Sequence, residues 1–166
     1  MRTLRLALCL AALVAGTTVA GPSSLEQTQL KGLKGVNLSV YVDRSFEGYA
    51  DLEEKVAAKA REALARDGNL TTDGPDGTWL SVDVLAYDPK DRPLPGGVIV
   101  VVRVQLRERV RLDRDPSLKI PGGNGAVTWF DEWVDLEPKA DVRAAILKDV
   151  DWRVGSFAAQ AKHANR

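Results

Sequence analysis

Four segments of the chain alternate between apolar and polar residues, a pattern typical of half-buried β-strands. They cover residues 36–43, 79–87, 98–112 and 126–136. In the first three segments one side is almost entirely valine, leucine and alanine, so that side is predicted to face the core. The third segment is longer than the usual strand of about 5–6 residues, which predicts a projecting hairpin arm or a bulge near Glu108.

Two further segments repeat with the period of a helix. The first covers residues 51–68 and places an apolar residue at every fourth position from Leu52. Asp51 and Glu54 have the spacing of a capping box, which predicts the helix start. Gly68 stands where a left-handed C-cap is expected, which predicts the helix end.

The second helical segment is predicted to begin at Pro138, a residue that suits a first helical turn, and to end near Ala161. Gly155 inside a helix costs about 1 kcal/mol relative to alanine, so a close approach to the sheet is expected there. The apolar stripe of this helix consists of Val142, Ile146, Val150, Val154 and Phe157.

The order of these elements is β-α-β-β-β-α, which predicts an α+β domain with a four-stranded mixed sheet. The strand–helix–strand unit at the start requires a right-handed parallel crossover, and the three later strands form an antiparallel meander. Because each helix has one apolar stripe, both helices are predicted to cover the same face of the sheet. The other face is then left in water or against a partner.

The third strand carries a row of arginines on the side opposite its valines. Aromatic residues of neighbouring strands are expected on the same side, with Phe130, Val134 and Leu136 of the fourth strand turned to the core. One interpretation is a solvated face held by cross-strand ion pairs and cation–π contacts. The other is a recognition surface, because Trp, Tyr and Arg are enriched at binding hot spots. The candidate binding residues are Arg103, Arg107, Arg109, Arg111, Trp79, Trp129, Trp133, Tyr41 and Tyr87.

The first twenty residues have the three parts of a secretory signal peptide: two arginines, an apolar run over residues 6–15, and a small-residue cleavage site before Gly21. The predicted organisation is a signal peptide over residues 1–20, a flexible lead-in over 21–35 and one domain over 36–166. Removing the two arginines of residues 1–20 from the 23 basic residues leaves 21 against 23 acidic residues, a net charge of −2. Such a balance does not favour nucleic-acid binding.

Catalytic chemistry is sparse in the sequence. Cys9 lies inside the predicted signal peptide, and His163 stands close to the C-terminus, where chains often fray. No cofactor or metal motif is present, so none is expected. A glycan-directed hydrolase that uses Asp83 and Asp131 as paired carboxylates, near tryptophans that could stack on a sugar, is the alternative enzymatic interpretation.

The export signal, the order of elements and the closing amphipathic helix resemble small bacterial periplasmic accessory proteins. Examples are the accessory lipoprotein of lipopolysaccharide assembly and the lipoprotein activators of cell-wall synthases. The resemblance implies an exported, periplasmic or extracellular protein without enzymatic activity that binds an envelope protein or polymer. This chain lacks their lipidated cysteine, and no transmembrane segment is expected after cleavage. A purely structural domain without a ligand face is the third interpretation.

Overall fold

The computed structural model describes residues 30–46, 48–87, 97–109 and 126–166. Within these ranges the chain forms one four-stranded sheet with the strands in the order β1-β2-β3-β4. β1 pairs with β2 in parallel, and the other two pairs are antiparallel. The predicted α+β fold and its β-α-β-β-β-α order are therefore confirmed. The strands are β1 (Asn37–Val42), β2 (Thr78–Tyr87), β3 (Gly97–Glu108) and β4 (Ala126–Pro138).

The first helix, α1, spans Tyr49–Ala63 and continues into a π-helical turn over Leu64–Gly68. The capping-box prediction is wrong, because the helix starts two residues before Asp51 and the N-cap is Gly48. Asp51 pairs instead with Lys55, one turn further on, and with Arg143 of the second helix. The contact with Arg143 joins the start of α1 to the second helix by charge.

The end of this helical segment also differs from the prediction. The left-handed residue is Asn69, at φ 54°, rather than Gly68. Gly68 serves close packing, since a Cβ there would lie 2.9 Å from the carbonyl oxygen of Ala158. The two helical segments therefore touch backbone to backbone at this glycine.

The second helix, α2, spans Val142–Ala164, and its apolar stripe is buried as predicted. Pro138 ends β4 instead of starting the helix, and its carbonyl accepts a bond from the N–H of Asp141. Gly155 does allow a close approach, but to the turn after α1 rather than to the sheet. A Cβ on Gly155 would lie 2.5 Å from a carboxylate oxygen of Asp67.

Both helices cover one face of the sheet and enclose the core between the two layers. The core side of β2 and β3 is formed by leucine and valine residues that are almost fully buried. The register of the β3–β4 pair shifts between Leu106 and Arg107, close to the bulge predicted near Glu108, but the extra residue is Thr128 of β4 rather than a residue of β3. The buried sheet residues include Leu80, Val82, Val84, Val100, Val102, Val104 and Leu106.

Residues 30–35, assigned to the lead-in above, belong to the folded domain. Leu30 is 1% exposed and lies in the core. The side-chain amide of Asn165 donates to the carbonyls of Leu30 and Leu33, and its oxygen accepts a bond from the N–H of Gly32. The C-terminal end of α2 therefore holds this segment in place. Residues 1–29, including the predicted signal peptide, lie outside the described residues.

Candidate functional site

No described residue packs over the face of the sheet opposite the helices, which is here called the open face. Its composition follows from the register, because directly paired residues point to the same side of a sheet. Across the middle of the sheet Tyr41 pairs with Asp83, Asp83 with Arg103, and Arg103 with Glu132. The remaining open-face positions described below are Ser81, Trp79, Leu85 and Tyr87 of β2, Ile99, Val101, Gln105 and Arg107 of β3, and Val127, Phe130, Val134 and Leu136 of β4.

Most exposed large apolar side chains of the described chain lie on this face. Nine such residues are exposed, and only Tyr49 and Trp152 lie elsewhere. Soluble monomers rarely show contiguous apolar patches beyond a few hundred Å² without a binding role. The seven on the open face are Tyr41, Trp79, Tyr87, Val127, Phe130, Val134 and Leu136.

A polar band crosses the apolar surface at the middle row. Arg103 donates to Glu132 through Nε and Nη2, both at 2.7 Å. The carboxylate of Asp83 accepts a hydrogen bond from the hydroxyl of Ser81 at 2.8 Å. Although Asp83 is the register partner of Arg103, the arginine is turned towards β4. The cross-strand ion pair on this face is therefore Arg103–Glu132.

Arg107 lies along β3 and covers a polar side chain. Its guanidinium donates two hydrogen bonds to the side-chain oxygen of Gln105, at 3.2 and 2.7 Å. This contact explains why Gln105 is only 8% exposed on an otherwise open face. Trp79, the register partner of Arg107, remains 43% exposed beside it.

The other predicted arginines are placed less completely. Arg109 is exposed at the end of β3, and its N–H donates to the carbonyl of Gly77 at 2.8 Å. Arg111 lies outside the described residues. Of the predicted arginine row, Arg103 and Arg107 are thus the members that the register places on the open face.

The prediction for residues 129–136 of β4 is wrong, because the two sides are exchanged there, whereas Val127 lies on the open face as predicted. Trp129 and Trp133 pair with Leu106 and Val102, and so lie on the side covered by the helices. Trp129 is 6% exposed, and its ring meets that of Phe157 edge to face, with centroids 5.0 Å apart. Its Nε1 donates to the side-chain oxygen of Gln160 at 3.1 Å. Both tryptophans are therefore packing residues of the helix layer.

The exchange has a physical cause that the alternation could not reveal. One side of β4 carries two tryptophans among acids, and the other carries phenylalanine, valine and leucine. A buried cation on α2 decides between them: Arg153, with 9% of its side chain exposed, pairs with Asp131 at 2.5 Å and with Asp149 at 2.7 Å. Burial of its carboxyl raises the pKa of Asp149 against the opposing effect of Arg153. Because a buried charge must be paired, Asp131 points to the helix layer. Trp129 and Trp133 are two residues away on the same strand and therefore point to the same side.

The same placement separates the two carboxylates of the hydrolase hypothesis. Asp83 lies on the open face, whereas Asp131 points to the helix layer and pairs with Arg153. Two carboxyl groups on opposite sides of a sheet cannot flank one glycosidic bond.

Among the described residues, no group of three His, Cys, Asp or Glu side chains is arranged to hold a metal ion.

A concave surface lies on the helix side of the molecule, among residues of α2, β4 and the turn after α1. It is a shallow groove of about 990 Å³ along the outer side of α2, next to the end of β4. Trp152, which is 63% exposed, and Trp133 of β4 both line it. Most of its charged lining residues are acids, and Asp151 is already paired with Arg66 at 3.1 Å.

Within the described ranges, no helix is long and apolar enough to cross a membrane.

Comparison with known proteins identifies no family. No protein-family model and no curated protein matches the chain. Among solved structures, the chain is similar to a variant of PelC from Paraburkholderia phytofirmans, solved as a dodecamer, with 14% sequence identity. The similarity covers 78% of this chain and 88% of the PelC chain, with a TM-score of 0.37. A similarity of this degree has no bearing on function or assembly.

Proposed function

We propose that the protein is an exported, non-enzymatic binding module of the bacterial cell envelope, and that the open face is its docking surface. The observation that carries the proposal is the concentration of exposed apolar side chains on one side of the sheet. Export rests on the signal-peptide pattern of residues 1–20. The envelope role rests on the resemblance to periplasmic accessory proteins.

Two features of the open face favour docking over a merely solvated surface. Its apolar residues occupy both sides of a charged row, which is the mixture of apolar contacts and polar anchors found in protein interfaces. In addition, Arg103 and Arg107 are held by Glu132 and Gln105. Side chains fixed before binding lose less freedom when a partner arrives.

Site-specific photocrosslinking tests the proposal. A photoreactive residue at Val134, 57% exposed on the open face, is expected to form an adduct when the protein is expressed in its native envelope. The matched control carries the same group at Trp152, which is 63% exposed on the helix layer. Adducts from Val134, lost when Trp79 is replaced by alanine, support docking. Adducts from Trp152 alone would contradict it.

The absence of catalysis is tested separately. Purified protein is expected to leave cell-wall and polysaccharide substrates unchanged over hours at micromolar concentration. Turnover that disappears in both Asp83→Asn and Asp131→Asn, with folding intact by circular dichroism, would contradict the proposal and restore the hydrolase hypothesis.

A further inference from the structure

We infer that the occupant of the open face is a second copy of this chain, packed sheet against sheet across a two-fold axis that runs along the strands between β2 and β3. The inference rests on the proposed function, since it takes the same face as the docking surface and names what covers it. The observation behind it is the pairing of unlike, complementary residues in the β2–β3 register.

A two-fold axis in this position exchanges β2 and β3 between the copies. Each residue of β2 then lies over the β3 residue of the partner copy that is its own register neighbour. The register pairs Asp83 with Arg103, an acid with a base. The same exchange places Leu85 over Val101, apolar on apolar. A surface complementary to itself in this way is what an isologous dimer requires.

The Trp79–Arg107 row, four residues along the strands from the charged pair, is complementary as well. Trp79 is the register partner of Arg107, so the exchange sets a guanidinium of one copy over an exposed indole of the other. Arginine over the face of a tryptophan is a favourable cation–π arrangement. Packed aligned sheets cross at about 30°, so facing rows align best near the point where the two sheets cross and less well farther away. We place that point at the row of Asp83 and Arg103.

The charged groups Arg103 and Asp83 on the open face can each accept a further contact from a second copy. Arg103 uses Nε and Nη2 on Glu132, and a guanidinium has five N–H donors. The carboxylate of Asp83 has the Ser81 hydroxyl as its hydrogen-bond partner, and no ion pair links it to another described residue. Arg103, the register neighbour of Asp83, is engaged with Glu132, so a second copy would supply an ion-pair partner that Asp83 does not have among the described residues of its own sheet.

The size of the face fits a dimer. β2 has 10 residues, which at about 3.3 Å per residue gives a length of about 33 Å. Four strands spaced about 4.8 Å apart give a width of about 19 Å, hence a footprint of about 600 Å² before side-chain relief is added. A standard protein interface covers about 800 Å² on each partner. The flat footprint is thus somewhat below the standard interface area, since β1 has only 6 residues, and is of a size that one copy can cover.

Charge reversal tests the inference. Asp83→Arg sets an arginine over the arginine at 103 of the partner, and the double variant Arg103→Asp/Glu132→Arg sets aspartate over Asp83 while keeping an ion pair inside each sheet. Each alone is expected to raise the dissociation constant of self-association on the order of 100-fold, since facing like charges are strongly unfavourable. An equimolar mixture of the two restores opposite charges at both crossings and is expected to form a heterodimer.

Sedimentation equilibrium and native mass spectrometry of the exported protein give the readout. Support requires a dimeric wild type, two monomeric variants that fold by circular dichroism, and a heterodimer in their mixture. Glu54→Arg, the same kind of reversal on the exposed side of α1, is the control and should leave the mass unchanged. Variants that remain dimeric, or a mixture that stays monomeric, would overturn the inference.

The test separates this inference from the proposed function. A monomeric wild type that still forms a Val134 adduct with a different protein overturns the dimer and leaves the docking surface in place. A monomeric wild type without any adduct overturns both.

Discussion

Truncating one tryptophan on each side of the sheet tests the assignment of the two faces. In Trp129→Ala the removed ring is 6% exposed and packs edge to face on Phe157. Truncation of a buried aromatic residue costs about 3–5 kcal/mol, and loss of an edge-to-face pair accounts for about 0.5–1.5 kcal/mol. We therefore expect Trp129→Ala to lower the free energy of unfolding by about 4 kcal/mol.

The matched change is Trp79→Ala on the open face. This ring is 43% exposed, so a loss of about 1 kcal/mol or less is expected. Urea unfolding followed by circular dichroism measures both variants without relying on tryptophan fluorescence. In thermal unfolding, the melting temperature should fall by roughly 8–16 °C for Trp129→Ala and by a few degrees for Trp79→Ala. A larger loss from Trp79→Ala than from Trp129→Ala would refute the face assignment.

Three further outcomes are expected. Gly68→Ala should destabilise the domain by about 1–3 kcal/mol in urea unfolding, because its Cβ meets the backbone of Ala158, whereas Asn69→Gly should be tolerated at its positive φ. The raised pKa of Asp149 means that the folded state holds its proton more tightly than the unfolded state, so this group's stabilisation is lost as pH rises above the ordinary pKa of aspartate. As the pH rises above the ordinary pKa of aspartate, Asp149→Asn should therefore lose less stability than the wild type in parallel urea titrations. Intact-mass analysis of exported protein should show residues 1–20 removed, and a mass that retains them would contradict export by cleavage.

The fold was predictable because its periodic signals agree with one another. Leu52, Val56 and Ala60 mark the buried stripe of α1, and the valines of β3 mark the core side of the sheet, as the structure confirms. The order of the elements then left one sheet face uncovered. The buried side of each of these elements follows from its own sequence, through the alternation of a strand or the period of a helix.

The candidate site was predicted only in part, and β4 shows why. Tyr41, Trp79 and Tyr87 are exposed on the open face as expected, and their strands have one clearly apolar side. β4 has two mixed sides, so its orientation depends on a tertiary partner, the buried Arg153, rather than on its own pattern. For this reason the alternation alone wrongly predicts the exposed residues Phe130, Val134 and Leu136 to lie in the core. Asp131 of β4, together with the arginine at 153 among the apolar residues of α2, is the signal that could have found them.

Side-chain footprinting with hydroxyl radicals tests the central claim, that the open face is the docking surface, most directly. Oxidation of Tyr87, Phe130 and Trp152 is compared between protein in its native envelope and dilute purified protein. These residues are 64%, 52% and 63% exposed in the isolated chain, so all three report with similar sensitivity. Lower oxidation of Tyr87 and Phe130 in the envelope, with Trp152 unchanged, is the predicted result. Unchanged oxidation of Tyr87 and Phe130 together with a protected Trp152 would contradict the claim and place docking on the groove along α2.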